Sequence, residues 1–152
     1  MFSFIQIFAL IPLFLCSCGN IIHGERSPLF YMSIEELYRT CMPDACGKEV
    51  HLEGKEVRVR GSVDRDNIFN RKSYPQLPYE KFKIYDKKSG QSIEVWAVSN
   101  NNRMIFQKIE QSAPGKEACI SGTLTSFDMP MMGKCKRGIK IEIKNADSIS
   151  FR

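Results

Sequence analysis

Six cysteines and two histidines are the side chains of this 152-residue chain best suited to metal or redox chemistry. Cys16 and Cys18 flank one serine in "LCSCGN"; the other four follow as Cys41-x4-Cys46 and Cys119-x15-Cys135. Neither of these later spacings matches a C-x2-C zinc knuckle, and only His23 and His51 stand to complete a ligand set, so no metal and no cofactor are expected. Each histidine lacks a Ser, Cys or carboxylate at a recognisable motif spacing, and there is no G-x-S-x-G and no Gly-rich phosphate loop. Asp64, Asp66 and Asp86 with Arg58 and Arg60 are the one set from which a nuclease cleft could be assembled. Loops and outward strand faces are charged in any case, so the expectation is a protein without catalysis.

"LCSCGN" ends a run that carries no charge from Phe2 to Ser17 and is almost wholly apolar through "IFALIPLFLC". An apolar middle with a small-residue exit is the outline of a secretory signal. A spanning helix needs roughly 20 apolar residues, and this run is interrupted by Gln6 and Pro12. Leu15-Cys16-Ser17-Cys18 resembles the lipobox of bacterial lipoproteins, in which an aliphatic residue at −3 and a small one at −1 precede the cysteine that receives the lipid. That resemblance implies Cys18 as the lipidated residue, a palmitate-type membrane anchor, and residues 1–17 as a signal peptide. It places the protein in the cell envelope, facing the periplasm or the cell surface. The mature chain of about 135 residues suffices for one ordinary domain. Its net charge of +5 suits an anionic partner or membrane, or solubility alone.

Elements follow in a readable order. Residues 18–47 hold a tether and a short helix: Ser33 and Glu36 form a capping box, Met32 and Leu37 a hydrophobic staple, and Pro43, Asp44 and Gly47 a stop. From residue 48 the period becomes two. Val57, Val59, Gly61 and Val63 alternate with Arg58, Arg60 and Ser62. The basic "DRDNIFNRKSYPQLPYE" is expected as a loop. "KFKIYD" and "SIEVWAV" are strands joined by a hairpin turning at Gly90. Ile105, Phe106 and Ile109 mark a helix that ends at Pro114-Gly115. Ala118, Ile120, Gly122 and Leu124 alternate with Cys119, Ser121 and Thr123, and Ile139, Ile141 and Ile143 with Lys140, Glu142 and Lys144.

Five strands with one helix between the third and fourth is the succession of an oligonucleotide/oligosaccharide-binding (OB) fold. "GKEVRVRGSV", "KFKIYD" and "ACISGTL" resemble the core of its bacterial members. The resemblance implies a mainly β, five-stranded Greek-key barrel over residues 48–152; a small sandwich is the rival architecture. Parity puts Ile84, Ile93, Val95 and Ala97 inside and Lys83, Tyr85, Glu94 and Trp96 outside. The outward face is where the resemblance implies ligand binding, with bases or sugars stacking on Tyr85 and Trp96. Cations that could border it are Lys83, Arg58 and Arg60, then Arg65, Arg71 and Lys72 of one loop, and Lys134, Lys136 and Arg137 of another. Alternatively Trp96 is covered by Tyr74, Pro75, Leu77, Pro78 and Tyr79 of the long loop or by the Leu37/Tyr38 helix. Met129, Met131 and Met132 either cap the open end of the barrel, the favoured reading, or form a protein-contact patch.

With Cys16 in the signal and Cys18 lipidated, Cys41, Cys46, Cys119 and Cys135 remain as disulfide candidates. If the last strands turn near "MPMMGK", Cys135 sits several residues from the partner of Cys119 at about 3.3 Å each. A disulfide needs Cα atoms within about 7 Å. Bonds from the Cys41/Cys46 turn to the barrel, or a local Cys41–Cys46 ring, are therefore expected. The functional expectation is a lipid-anchored envelope protein whose domain binds a polymeric anionic ligand, a glycan or a protein. A docking lipoprotein is the alternative, and a nucleic-acid-binding or weak nuclease-type protein the second.

Overall fold

The computed structural model describes residues 31–152 except 42, 44, 45, 100 and 101. Cys16, Cys18, His23 and the expected signal lie outside the described residues. The structure is mainly β, with strands β1 (Met32–Ser33), β2 (Glu56–Phe69), β3 (Glu80–Tyr85), β4 (Ser92–Ala97), β5 (Glu117–Met131), β6 (Lys134–Ile143) and β7 (Ile149–Phe151). Helix α1 (Ile34–Cys41) precedes β2, and α2 (Arg103–Gln111) lies between β4 and β5. All seven strands belong to one sheet.

The pairings β2–β3, β3–β4, β4–β6, β6–β5 and β5–β2 return to their start, so five strands form a ring of hydrogen-bonded neighbours. Only β4–β6 is parallel within that ring, and the connection that parallel pairing demands is supplied by α2 and β5. Period-two alternation fills the interior: Val57, Val59, Phe82, Ile84, Ile93, Val95, Ile120, Leu124, Ile141 and Ile143 are all buried. Helix α2 adds Ile105, Phe106 and Ile109, with Phe106 edge-on to Phe82 at 6.3 Å between ring centres. Helix α1 adds Ile34 and Leu37, held by the expected capping box. Ser33 N–H donates to Glu36 Oε2 at 2.7 Å and Glu36 N–H to Ser33 Oγ at 3.1 Å.

Gly122 marks the tightest point. A Cβ there would stand 2.6 Å from the Glu142 carbonyl oxygen and 2.7 Å from Ile141 Cγ2, so only glycine lets β5 and β6 close together.

Four expectations need correction. Asp64–Phe69 is strand, not loop: β2 continues through a register shift between Asp64 and Ile68 and re-pairs at Ile68↔Phe82 and Phe69↔Lys81. Cys119, on the outward parity, is buried because β7 pairs alongside it, with Ser150 opposite, and Arg152 Nε reaches its sulfur at 2.9 Å. Ser62 is likewise buried, paired between Tyr85 of β3 and Glu117 of β5. Met131 and Met132 do not cap the core, since both are exposed; Met129 is half-buried.

Those methionines sit on a ribbon. Beyond Thr123 and before Lys140, β5 and β6 pair only with each other among the strands, through six residue pairs from Ser126↔Ile139 to Met131↔Lys134. A lone two-stranded ribbon is marginal in water, and this one is braced by the segment 46–55. Cys46 is disulfide-bonded to Cys135, with Cα atoms 5.5 Å apart. Ser126 Oγ and the Arg137 guanidinium both bind the Glu53 carboxylate, the latter at 3.4 Å. Gly54 N–H donates to Leu124 O at 2.8 Å. A bond from the Cys46 turn to a late strand is one of the two cross-links expected from the sequence; the local Cys41–Cys46 ring does not form, and Cys41 and Cys119 are free and buried.

Candidate functional site: an aromatic stripe threaded by lysines

The outer face of β3, β4 and β6 is organised by register. Trp96 lies opposite Lys81 on one side and Glu142 on the other, and Glu94 lies between Lys83 and Lys140. Opposite charges on neighbouring strands pair: Lys81 Nζ is 2.7 Å from Glu94 Oε1. Lys140 Nζ is 2.9 Å from Glu142 Oε1, its near neighbour on the same strand face. The Trp96 indole N–H donates to Glu94 Oε2 at 2.9 Å, so ring orientation and ion pair share one carboxylate.

The rings extend from β2 through the long loop to β4. Phe69 and Tyr74 approach at 5.3 Å between centres, and Tyr79 and Trp96 at 5.0 Å. Lys81 joins the two pairs, its ammonium lying 5.7 Å from the Phe69 ring, 5.2 Å from Tyr79 and 5.5 Å from Trp96. Lys140 Nζ lies 3.9 Å from the Trp96 ring centre. Each contact is a cation held by the negative face of a ring. Trp96 is half-buried and Tyr74 exposed. Burial alone would raise the Glu94 carboxyl, but hydrogen bonds from Lys81 and Trp96, with the charges of Lys81 and Lys83, outweigh it and hold the group below its ordinary value.

The residues expected to line one cleft are spread over several places. Tyr85 pairs with Ser92, four positions from Trp96 on β4, or about 13 Å along the strand. It lines, with Arg60, a polar cavity of about 550 Å³ beside Glu36 and Arg39 of α1. Lys83 stands between Asp64 and Glu94. Arg58 Nε lies 3.6 Å from Glu56. Arg71 and Lys72 line a cavity of about 620 Å³ with Glu80, Asn102 and Phe106. The buried Glu80 there accepts from Asn102 Nδ2 at 2.7 Å and from the Arg71 N–H at 2.8 Å. Arg65 donates to Ser112 O at 2.6 Å, at the end of α2. Arg137 is taken up by Glu53, Asp128 and Ser126, and Lys134 and Lys136 are exposed on the ribbon.

The acidic set for a nuclease does turn work instead. Asp64 accepts from Asp66 N–H and Asn67 Nδ2 inside the β2 irregularity, and Asp86 from Lys88 N–H in the β3–β4 turn. Among the described residues no three His, Cys, Asp or Glu side chains gather as metal ligands do. Tyr79, Lys81, Phe69 and Lys140 belong to the stripe and were not among the expected binding residues. The alternation set Lys140 apart from the apolar isoleucines, but only the pairings bring it and Lys81 to Trp96. No family model and no curated sequence matches the chain.

Proposed function

We propose that this chain is an exported, lipid-anchored protein of the bacterial envelope, whose OB-type Greek-key barrel binds an extended anionic or glycan polymer without converting it. The observation that carries the reading is the stripe of Phe69, Tyr74, Tyr79 and Trp96 threaded by Lys81 and Lys140. Rings offer sequence-tolerant stacking surfaces and the ammoniums offer charge, the combination that holds a polymer by its faces and its anions together. The ring order β2-β3-β4-β6-β5, with α2 between β4 and β5, supports the OB-type assignment. The Cys46–Cys135 disulfide supports an oxidising compartment, and the lipobox-like Leu15–Cys18 supports anchoring at Cys18.

Protein docking is the second reading, favoured by the engagement of the Trp96 ring by Tyr79 and Lys140, which leaves less of it for a ligand to stack on. Trp96 is the only tryptophan, so its fluorescence reports directly on the stripe. The test is a titration of the full chain with a polyuronate oligosaccharide, a neutral glucan and a single-stranded oligonucleotide. Binding of a polymer with a change in Trp96 emission is expected, weakened by Tyr79→Ala by about 1–3 kcal/mol and weakened further by salt if the polymer is anionic. Failure of all three polymers to bind, or binding unchanged in Trp96→Ala, overturns the polymer reading and leaves docking.

A further inference from the structure

The β5–β6 ribbon ends in the two-residue turn Met132-Gly133, flanked by Met131 and Lys134. Both central residues have positive φ, +30° at Met132 and +80° at Gly133. Turns of that kind take Asn, Asp or Gly at their first central position, because an unbranched or branched L side chain there crowds the backbone. This chain places a methionine at that position, and its side chain is fully exposed, with Met131 also exposed beside it. A large apolar side chain held in a costly conformation and offered to solvent points to use of the side chain itself.

The surroundings select the kind of partner. From Met129 to Lys136 the sequence reads "MPMMGKCK", with two lysines and no carboxylate. The acidic group next down the ribbon, Asp128, lies 3.3 Å from Arg137 and is neutralised by it. The tip is thus apolar at its extremity and cationic behind it. It is also stiff, because Cys135 is bonded to Cys46 and Arg137 and Ser126 are tied to Glu53. A pair of methionines is too small for a stable protein interface, which needs roughly 1,000 Å² of buried surface. It is large enough to enter the boundary of a bilayer while lysines behind it meet anionic headgroups.

We infer that the β5–β6 ribbon is a membrane-contacting finger that inserts Met131 and Met132 into an anionic bilayer, with Lys134 and Lys136 at headgroup level. The finger is separate from the aromatic stripe, and it rests on the envelope reading only for bringing a bilayer within reach. An acyl anchor by itself fixes distance but not attitude; the finger fixes the attitude of the domain.

The test uses the full chain bearing Met132→Cys with an environment-sensitive fluorophore, and a Ser89→Cys control in the β3–β4 turn, on vesicles of phosphatidylcholine with or without phosphatidylglycerol. Cys41 and Cys119 are buried and Cys46 and Cys135 bonded, so the competing thiols are Cys16 and an unacylated Cys18; a parallel labelled chain carries Cys16→Ser and Cys18→Ser. The expected result is a blue shift at position 132, quenched by lipids with spin labels on the acyl chain, on anionic vesicles only; position 89 stays aqueous. Lys134→Gln with Lys136→Gln should lower the insertion constant about 25-fold, at about fivefold per lysine near an anionic surface. A probe at 132 that stays aqueous, or shifts without quenching by the labelled lipid because protein covers it, overturns the finger. Mass spectrometry of the Cys18 peptide reads the anchor independently. An acylated chain with an aqueous tip retains the anchor and refutes the finger; an unacylated chain with an inserted tip does the reverse.

Discussion

The disulfide permits a calculation that unfolding can contradict. Cys46 and Cys135 are 89 residues apart in sequence, so the bond closes a loop over most of the described domain. The chain-entropy relation gives about 4.6 kcal/mol at 25 °C for a loop of that size, an upper figure because unfolded chains keep structure and engineered comparisons usually return less. The perturbation is the double variant Cys46→Ser/Cys135→Ser, compared with the oxidised chain in urea, with Trp96 fluorescence as the probe. A loss of about 2–4.6 kcal/mol is expected, together with a steeper dependence on urea, because the uncrosslinked chain exposes more surface on unfolding. Burial pushes the Cys41 thiol up to about 11 in the folded protein; unfolding exposes it, so the titration is run at mildly acidic pH, where free thiols exchange slowly with a disulfide. A loss below about 1 kcal/mol with an unchanged slope would refute the reasoning. It would mean that the ribbon parts from the rest before the ring of strands does, and that the bond constrains the ribbon alone.

Three further outcomes follow from particular contacts. Gly122→Ala should cost about 1–3 kcal/mol or more by overpacking, because the added methyl meets the Glu142 carbonyl and Ile141 at 2.6 and 2.7 Å; thermal unfolding checks it against an exposed control, Gly47→Ala excluded because its φ is +80°. Glu94, held below its ordinary 4.5, contributes stability that is present above that value and lost as pH falls through its lower folded value; a Trp96 emission change should therefore appear below pH 4.5 and vanish in Glu94→Gln. Met132→Asn should raise stability by about 1 kcal/mol, since the left-handed conformation costs a methionine roughly that much. Calorimetry measures the gain, and an unchanged or lower melting point would show that the turn carries no strain.

How far the sequence could be read follows from the range of each interaction. The capping box at Ser33 and Glu36 and the alternation through Phe82, Ile84, Ile93 and Val95 are short-range patterns, and all of them form as expected. Asp64–Phe69 was illegible as strand because four polar residues in a row break the alternation, and only pairing with β3 restores it. The turn near "MPMMGK" was legible, but the extent of the ribbon was not: Pro130 reads as loop, yet it pairs with Cys135 on a ribbon where a missing N–H is tolerated. Candidate cations scattered because residue type does not announce a partner. Arg137 is absorbed by Glu53, 84 residues away in sequence, and Arg65 by the end of α2, 47 residues away. Trp96 was visible by parity, but Lys140 reaches it through the parallel β4–β6 pairing, which no local pattern encodes.

The lysines in the stripe bear on which ligands it can take. Lys81 lies among Phe69, Tyr79 and Trp96 and beside Glu94, the surroundings that would otherwise suit an external quaternary ammonium or a cationic peptide side chain. With that place taken internally, a cationic ligand must displace an ammonium that already has both its rings and its carboxylate. An anion would have to share Lys81 and Lys140 with Glu94 and Glu142, but the rings could keep their mutual contacts, so on the polymer reading the protein rearranges less for an anionic or neutral polymer than for a cationic one. The same point makes Lys81→Met diagnostic. Removing the internal cation frees the ring cluster and leaves Glu94 with the Trp96 N–H but no ion-pair partner, which should shift preference toward quaternary ammonium probes and away from polyanions. A preference unchanged by that substitution would mean that the rings contribute packing between the long loop and β4 and take no part in binding.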